Sequence, residues 1–309
     1  MYGLHVLLYS HSDVLSQELL RDFEPYLCDT RKRIDARVNF LPSHSNRLKI
    51  PIGAARDVYA RDMEIFTKSN IRYLRFGKSS AARINLRTGS VDVFLERRLE
   101  RTPIPRSFAK WSVIVGLEGK NRFPLHSSAV QDRKRIRIFV GRSGTGKTTL
   151  LLLHLARGDI VLTDDVLFLG RGEAYPFLFR GNVRKETLSN LRRCGDSVSS
   201  RLKAGLIDFA SIFPSRLDRV QLNDVAVYYL NVWHSRTSRI QRVNPGRMVG
   251  LLTDTYISEM NQSYWFGWRT RERISKVMQV YSNFLENADC YELLAGSDLS
   301  QLYNLIQRS

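Results

Sequence analysis

The sequence predicts an α/β protein of two domains, residues 1–105 and 106–309, with the second domain built around a strand, a phosphate loop and a helix. Three observations predict it. Gly141-Arg142-Ser143-Gly144-Thr145-Gly146-Lys147-Thr148 satisfies the pattern G-x-x-x-x-G-K-[ST], between the apolar run Arg135 to Val140 and the leucine-rich run Lys147 to Arg157. A second apolar run, Ile160-Val161-Leu162, ends in Thr163-Asp164-Asp165, as a buried strand delivering polar groups at its tip would. Upstream, Ile71 to Phe76, Ala82 to Leu86 and Val91 to Leu95 alternate apolar with polar residues, a meander of half-exposed antiparallel strands.

Taken in order, Leu4 to Tyr9 reads as a first strand, and Ser12 caps a helix that runs to about Leu27. Thr88 and Gly89, inside Arg87 to Ser90, supply a hairpin turn. Pro103 and Pro105, in the polar stretch Arg97 to Arg106, mark the domain boundary, and the second domain opens with a helical stretch around Phe108 to Gly116. Gly158 ends the helix that leaves the phosphate loop. Val166 to Leu169 and Tyr175 to Phe179, joined through Gly170-Arg171-Gly172, read as a hairpin. Val225 to Val232 is a further strand, and helices fall at about 271–286 and 298–307.

Composition bounds the function classes. With 43% hydrophobic and 25% charged residues over 309 positions, the chain is globular, not disordered. Cys28, Cys194 and Cys290 fit neither a disulfide framework nor zinc-ligand spacing, which points to a reducing cytoplasm. Met1 to Ser10 does not read as a signal peptide, and no apolar run is long enough to span a bilayer, so no membrane partner is expected. A net charge of +18 attracts anions: nucleotides, acidic peptides or nucleic acids. The cations come in short clusters, Arg31-Lys32-Arg33, Arg97-Arg98, Arg133-Lys134-Arg135, Arg184-Lys185 and Arg192-Arg193, spread along the chain.

The glycines of the loop let the backbone curl until successive N–H groups face a polyphosphate. Lys147 then reaches the terminal phosphates, Thr148 holds Mg²⁺, and Gly141 to Thr149 form the nucleoside-triphosphate-binding segment. The helix that follows adds the positive end of its dipole. Of Asp164 and Asp165, beside the loop, one is the expected second Mg²⁺ ligand, and the other can take a proton from an attacking hydroxyl. Adjacent side chains on extended chain point to opposite faces, so the two aspartates should have different partners. His126, in Pro124-Leu125-His126-Ser127-Ser128-Ala129-Val130, lies fifteen residues before Gly141.

This series, His126-Ser127-Ser128-Ala129, then Gly141 to Thr148, then Asp164-Asp165, resembles the catalytic domain of the HPr kinase/phosphorylase family and its stand-alone relatives, including peptide-modifying kinases of lasso-peptide-type pathways. The resemblance extends over residues 106–309, with specific motifs between His126 and Asp165. It implies a P-loop kinase domain of phosphoenolpyruvate-carboxykinase-like architecture that uses ATP and Mg²⁺ to phosphorylate a serine-type hydroxyl of a peptide or small protein, and a homo-oligomeric assembly. In that scheme His126, Lys147 and Asp165 are catalytic, while Thr148 and Asp164 serve the metal. The family's Leu-Glu-Ile-Arg-Gly signature corresponds here to Phe177-Leu178-Phe179-Arg180-Gly181. Leu178 stands where the metal-binding glutamate belongs, with Glu173 and Glu186 as candidate substitutes. Arg180 keeps the family's arginine and is a candidate phosphate or substrate contact.

Two other readings stay open on the residues alone. Tyr264-Trp265-Phe266-Gly267-Trp268-Arg269-Thr270-Arg271-Glu272-Arg273 interleaves aromatics with arginines, a pattern that stacks on bases or forms a core patch with a basic edge. Together with the basic charge it admits a nucleotide-dependent nucleic-acid-binding protein, although no helix-turn-helix, zinc-finger or RNA-binding signature accompanies it. A small-molecule kinase acting on free serine is the third.

Overall fold

Apolar alternation at period two carries the first sheet. The computed structural model describes residues 1–28, 33–45, 48–60, 63–132, 135–193, 202–262 and 271–309, and divides them into two units, the first running from Met1 to Arg122 and the second beginning at Phe123. The first unit holds β1 (Val6–Ser10), α1 (Asp13–Phe23), β2 (Ala36–Pro42), β3 (Ala55–Ala60), β4 (Met63–Lys68), β5 (Ile71–Phe76), β6 (Ser80–Asn85), β7 (Val91–Leu95) and α2 (Pro103–Glu118). Among the described residues the seven strands form one sheet in the order β1-β2-β7-β6-β5-β4-β3. The meander read from sequence is its antiparallel half, while β1, β2 and β7 run parallel. Val38, Phe40, Val91 and Val93 turn inward and are almost fully buried.

Prolines set two boundaries differently from the sequence expectation. The Ser12 hydroxyl caps α1 by accepting from the Leu15 N–H, but the helix stops at Phe23 and not near Leu27. Pro25 donates no hydrogen bond and restricts Glu24, so Glu24–Tyr26 form only a short 3₁₀ turn. Pro103 and Pro105 begin a helix, because the first helical turn needs no N–H there and Thr102 caps it through the Ile104 N–H. That helix belongs to the first unit, so the division falls after Arg122 and not at residue 105.

The second unit holds β8 (Phe123–Asp132), β9 (Arg135–Val140), α3 (Lys147–Leu155), β10 (Ile160–Thr163), β11 (Val166–Gly170), β12 (Glu173–Phe177), β13 (Gly181–Val183), α4 (Lys185–Arg193), β14 (Gly205–Ile207), α5 (Phe209–Ile212), β15 (Val220–Gln221), β16 (Val225–Val232), β17 (Arg239–Arg242), α6 (Pro245–Gln262), α7 (Arg271–Leu285), β18 (Ala288–Ala295) and α8 (Leu299–Gln307). Its main sheet is mixed, in the order β15-β12-β11-β8-β9-β16-β18-β17 with β10 also on β8. Parallel β9, β16 and β18 make the centre, and β8 is antiparallel to β9, β10 and β11. The protein is therefore mixed α/β, as the sequence predicts.

Helix α3 shows how little of this unit is surface. Leu150, Leu151, Leu152, Leu153 and Leu155 are all buried, so the leucines of the helix leaving the phosphate loop are enclosed on every side. It packs with Phe139, Tyr228, Leu302 and Ile306 in one cluster. Its C-terminal end is fixed by the buried His154, whose Nδ1 lies 2.7 Å from Asp159, and by Gly158 at φ +91°. The β11–β12 hairpin turns on Arg171 and Gly172, both at positive φ, as a two-residue type I′ turn requires. Most of the aromatic and basic segment, Tyr264 to Thr270, lies outside the described residues, as do Arg31, Lys32, Arg133, Lys134 and Cys194. Arg273, from its end, is buried in α7. Among the described residues no helix is long and apolar enough to cross a membrane.

The start of β8 is held by α7, where the Tyr281 hydroxyl donates to the Pro124 carbonyl at 2.7 Å inside the protein. Replacing Tyr281 by Phe keeps the ring packing and removes that donor. It should cost about 1 kcal/mol in urea unfolding, the usual value of one buried hydrogen bond; an unchanged midpoint would show that the bond contributes nothing to anchoring β8.

Candidate active site

Three loop glycines carry the curl that the motif needs. Gly141, Gly144 and Gly146 sit at φ +154°, +87° and +99°, conformations that side-chain-bearing residues rarely adopt. At Gly141 space adds to the constraint, since a Cβ there would meet the Leu230 carbonyl oxygen of β16 and the Thr145 hydroxyl, each at 2.8 Å. The Thr145 hydroxyl donates to the Arg142 carbonyl at 2.8 Å and closes the loop on itself. Ser143 is exposed at the tip, and Arg142 points out to Asp254 on α6, 3.1 Å away. Lys147 opens α3 with its side chain buried, its ammonium donating to the carbonyls of Gly141 at 2.6 Å and Arg142 at 3.2 Å. The curled loop and one buried cation thus stand at the N-terminus of α3, an arrangement that suits an anion.

The aspartates lie where β10 gives way to β11, both strands running antiparallel to β8. A register shift between Val161 and Thr163 puts a bulge just before them. The Thr163 hydroxyl, fully buried, accepts from the Asp165 and Val166 N–H groups and fixes the corner. Asp164 receives the Ser128 hydroxyl on Oδ1 at 2.8 Å and the Thr148 hydroxyl on Oδ2 at 3.3 Å. Asp165 instead faces His126, with Oδ1 3.2 Å from Nδ1. The two carboxylates therefore take different partners, one toward the loop and the other toward the histidine.

Burial pushes the Asp164 carboxyl up to about 7, and the neighbouring Asp165 charge adds to the rise. Hydrogen bonds from Ser128 and Thr148, and the Lys147 charge, pull it back only in part. Such a carboxyl is short of positive charge. A hydroxyl and a carboxylate at 3.3 Å are a poor cage for a metal alone, but they suit Mg²⁺, which takes one or two carboxylates and completes its shell with water and phosphate oxygens. Among the described residues no cluster of three or more His, Cys, Asp or Glu forms a self-sufficient metal site.

The segment after β12 closes the site from another side. Gly181 comes so near that a Cβ on it would lie 2.6 Å from Asp164 Oδ2 and 2.2 Å from the Phe209 ring. Arg180, one residue before, is half-buried. Leu178 turns away into the apolar core and is 4% exposed, so that position presents nothing to a metal. Glu173 does not replace it. It stands at the opposite end of the β11–β12 hairpin, held by the Tyr175 hydroxyl at 2.6 Å, Gln221 at 2.8 Å and Arg219 at 3.3 Å. Glu186 is exposed in the first turn of α4, beside Thr187, whose hydroxyl is 3.5 Å from that of Thr149. Of the two glutamates, only Glu186 belongs to an element that borders the loop.

The structure thus brings together His126, the loop from Gly141 to Thr149, Asp164 and Asp165, and it places Arg180 next to Gly181 at their edge. Sequence reasoning assigned no role to Ser128. The available signal was its spacing, since residues two apart on a strand share a face and His126 already faced the aspartates. Gly181 was read only as part of a signature, and its near-contact with Asp164 joins residues seventeen apart through the fold. Compared with models of known protein families and with curated proteins, the chain matches none.

The desolvated Asp164 should cost stability whenever it is ionised. Its folded value lies above the ordinary carboxylate range, so the stabilising contribution of the protonated form is complete below about pH 4 and is lost as pH rises through about 7. Asp164→Asn removes the charge and keeps the acceptor for Ser128. The variant should be more stable than the parent by on the order of 2 kcal/mol at pH 8, with the difference shrinking toward pH 5 in urea unfolding. A pH-independent difference would contradict a desolvated carboxyl at this position.

Proposed function

We propose that the second unit is an ATP-dependent phosphotransferase that moves the γ-phosphoryl group to a serine-type hydroxyl of a peptide or small protein, on a P-loop kinase fold of HPr-kinase and phosphoenolpyruvate-carboxykinase-like architecture. The observation that carries the proposal is the pairing of Asp165 with His126 beside the Asp164, Ser128 and Thr148 cluster at the loop. A loop and one aspartate suffice for nucleotide hydrolysis by many proteins. A second, more exposed carboxylate fixed by a histidine supplies what an acceptor hydroxyl needs.

Each residue then has a physical task. The loop N–H groups and the start of α3 hold the polyphosphate, and Lys147, released from the Gly141 and Arg142 carbonyls, offsets charge on the terminal phosphate. Thr148 and Asp164 would hold Mg²⁺, which would supply positive charge to offset that of the phosphates. Ser128 keeps Asp164 aimed at that position. The acceptor oxygen attacks the γ-phosphorus as the bond to the β-phosphate oxygen breaks; its proton passes to Asp165, and ADP leaves. His126 restrains the Asp165 carboxylate through the 3.2 Å contact and sets its orientation. Phosphoryl transfer asks little covalent chemistry of a protein, so positioning and charge account for most of the rate.

Incubation with γ-labelled ATP, Mg²⁺ and serine-containing peptides tests the proposal. Label should appear as phosphoserine, and Lys147→Ala should reduce it at least a hundredfold, in the range found when a group stabilising transition-state charge is removed. Hydrolysis of ATP with no labelled hydroxyl on any peptide or on free serine would overturn the kinase reading. Label on free serine alone would reassign the acceptor to a small molecule.

A further inference from the structure

The segment between Gly181 and Thr187 is anchored to the site at both ends. Gly181 is packed against the Asp164 carboxylate, and the Thr187 hydroxyl lies 3.5 Å from Thr149, the residue after the Mg²⁺-ligand candidate Thr148. Arg184 is three residues from each anchor, so its Cα lies at most about 11 Å from either, and a guanidinium on an extended side chain spans much of that. Alternation decides what faces out. Gly181 and Val183 are buried, with Val183 in the core cluster, while Asn182, Arg184 and the first helical residue Lys185 are exposed.

These cations differ from several others of the second unit. Lys147 is engaged with loop carbonyls, Arg142 with Asp254, Arg219 with Glu173 and Arg216 with Gln131. The side chains of Arg184 and Lys185 have no ionic or hydrogen-bonding partner among the described residues. From Arg180 to Arg193 the chain carries five cations, Arg180, Arg184, Lys185, Arg192 and Arg193, against one acid, Glu186. The curled loop and Lys147 already suit one anion, so unpaired cations on the rim outside it are free for a second anionic ligand.

We propose that Arg184 and Lys185 form an acceptor-docking rim that selects an acidic peptide, one whose target hydroxyl is flanked by Asp or Glu. The inference rests on the phosphotransfer reading for what happens to that hydroxyl, not for the rim itself. An acidic peptide suits a short rim better than nucleic acid does, because two exposed cations on one turn match a few carboxylates, whereas a strand needs a longer track and stacking surfaces. Exposed pairs of this kind are individually weak, so the rim acts on selectivity and encounter more than on tight binding.

The experiment is fluorescence anisotropy on the full chain with three labelled serine peptides of one length, flanked by Glu and Asp, by Gln and Asn, or by Lys. The acidic peptide should bind best, and more weakly as salt is raised. Arg184→Gln with Lys185→Gln should weaken the acidic peptide about three- to tenfold and leave the neutral one unchanged. Arg37→Gln with Arg87→Gln, which removes the same charge from exposed positions of the first unit, should change neither; thermal melting shows that both variants are folded. Equal binding of the three peptides, or equal losses in both double variants, would overturn the rim in favour of the general field. Tighter binding of a single-stranded oligonucleotide than of the acidic peptide, or a matching loss of ATP affinity in the Arg184 and Lys185 variant, would do so too. Adding ATP and Mg²⁺ to the same peptides separates the two proposals: an acidic peptide held by the rim but never phosphorylated leaves the rim standing and removes the kinase.

Discussion

A partly buried carboxylate beside a phosphate loop is the constraint on which the rest of the second unit depends. Asp164 accepts from the Ser128 and Thr148 hydroxyls and has Gly181 close against its Oδ2. Each partner comes from a different element: β8, the first turn of α3, and the start of β13. Holding three elements around one partly buried carboxylate is costly, and such a cost often marks a group kept for what it binds and not for the stability it adds. The elements are fixed by packing elsewhere: the leucines of α3 in the core, the β8 ladders with β9, β10 and β11, and Val183 anchoring β13.

That arrangement divides labour between adjacent aspartates. The Thr163 hydroxyl fixes the corner after the bulge, and from it Asp164 faces the loop while Asp165 faces His126. In the proposed phosphotransfer the division is that between metal and proton. The basic surface acquires a similar division, with Lys147 turned into the loop and Arg184 and Lys185 turned outward at the rim.

How much was legible in the sequence follows from how local each feature is. The loop, its flanking strand and helix, and the Asp164-Asp165 tip are short-range patterns and were read with nearly their observed bounds. The Arg171-Gly172 turn was legible for the same reason. The Ser128 contact was not, because it crosses from β8 to the corner after β10 and depends on strand pairing. Helix α6, which begins at Pro245, was not read from the sequence, and Pro103 was read as a boundary; proline at a helix start and proline at a break look alike without the next turn's packing. Strand β18, with Asp289 and Glu292 among its apolar residues, has no clean period because it pairs with β16 on one side and a short edge strand on the other. Leu178 was legible as a departure from a family pattern, yet only the core cluster shows that its side chain leaves the site altogether.

The measurement that tests the central claim most directly compares Asp164→Asn and Asp165→Asn for Mg²⁺-dependent ATP binding by calorimetry and for phosphoryl transfer on the same samples. The account predicts that Asp164→Asn loses the gain in ATP affinity that Mg²⁺ confers, whereas Asp165→Asn keeps that affinity and loses transfer. Two variants that behave alike in both assays, or an Asp165→Asn protein with undiminished transfer, would contradict it.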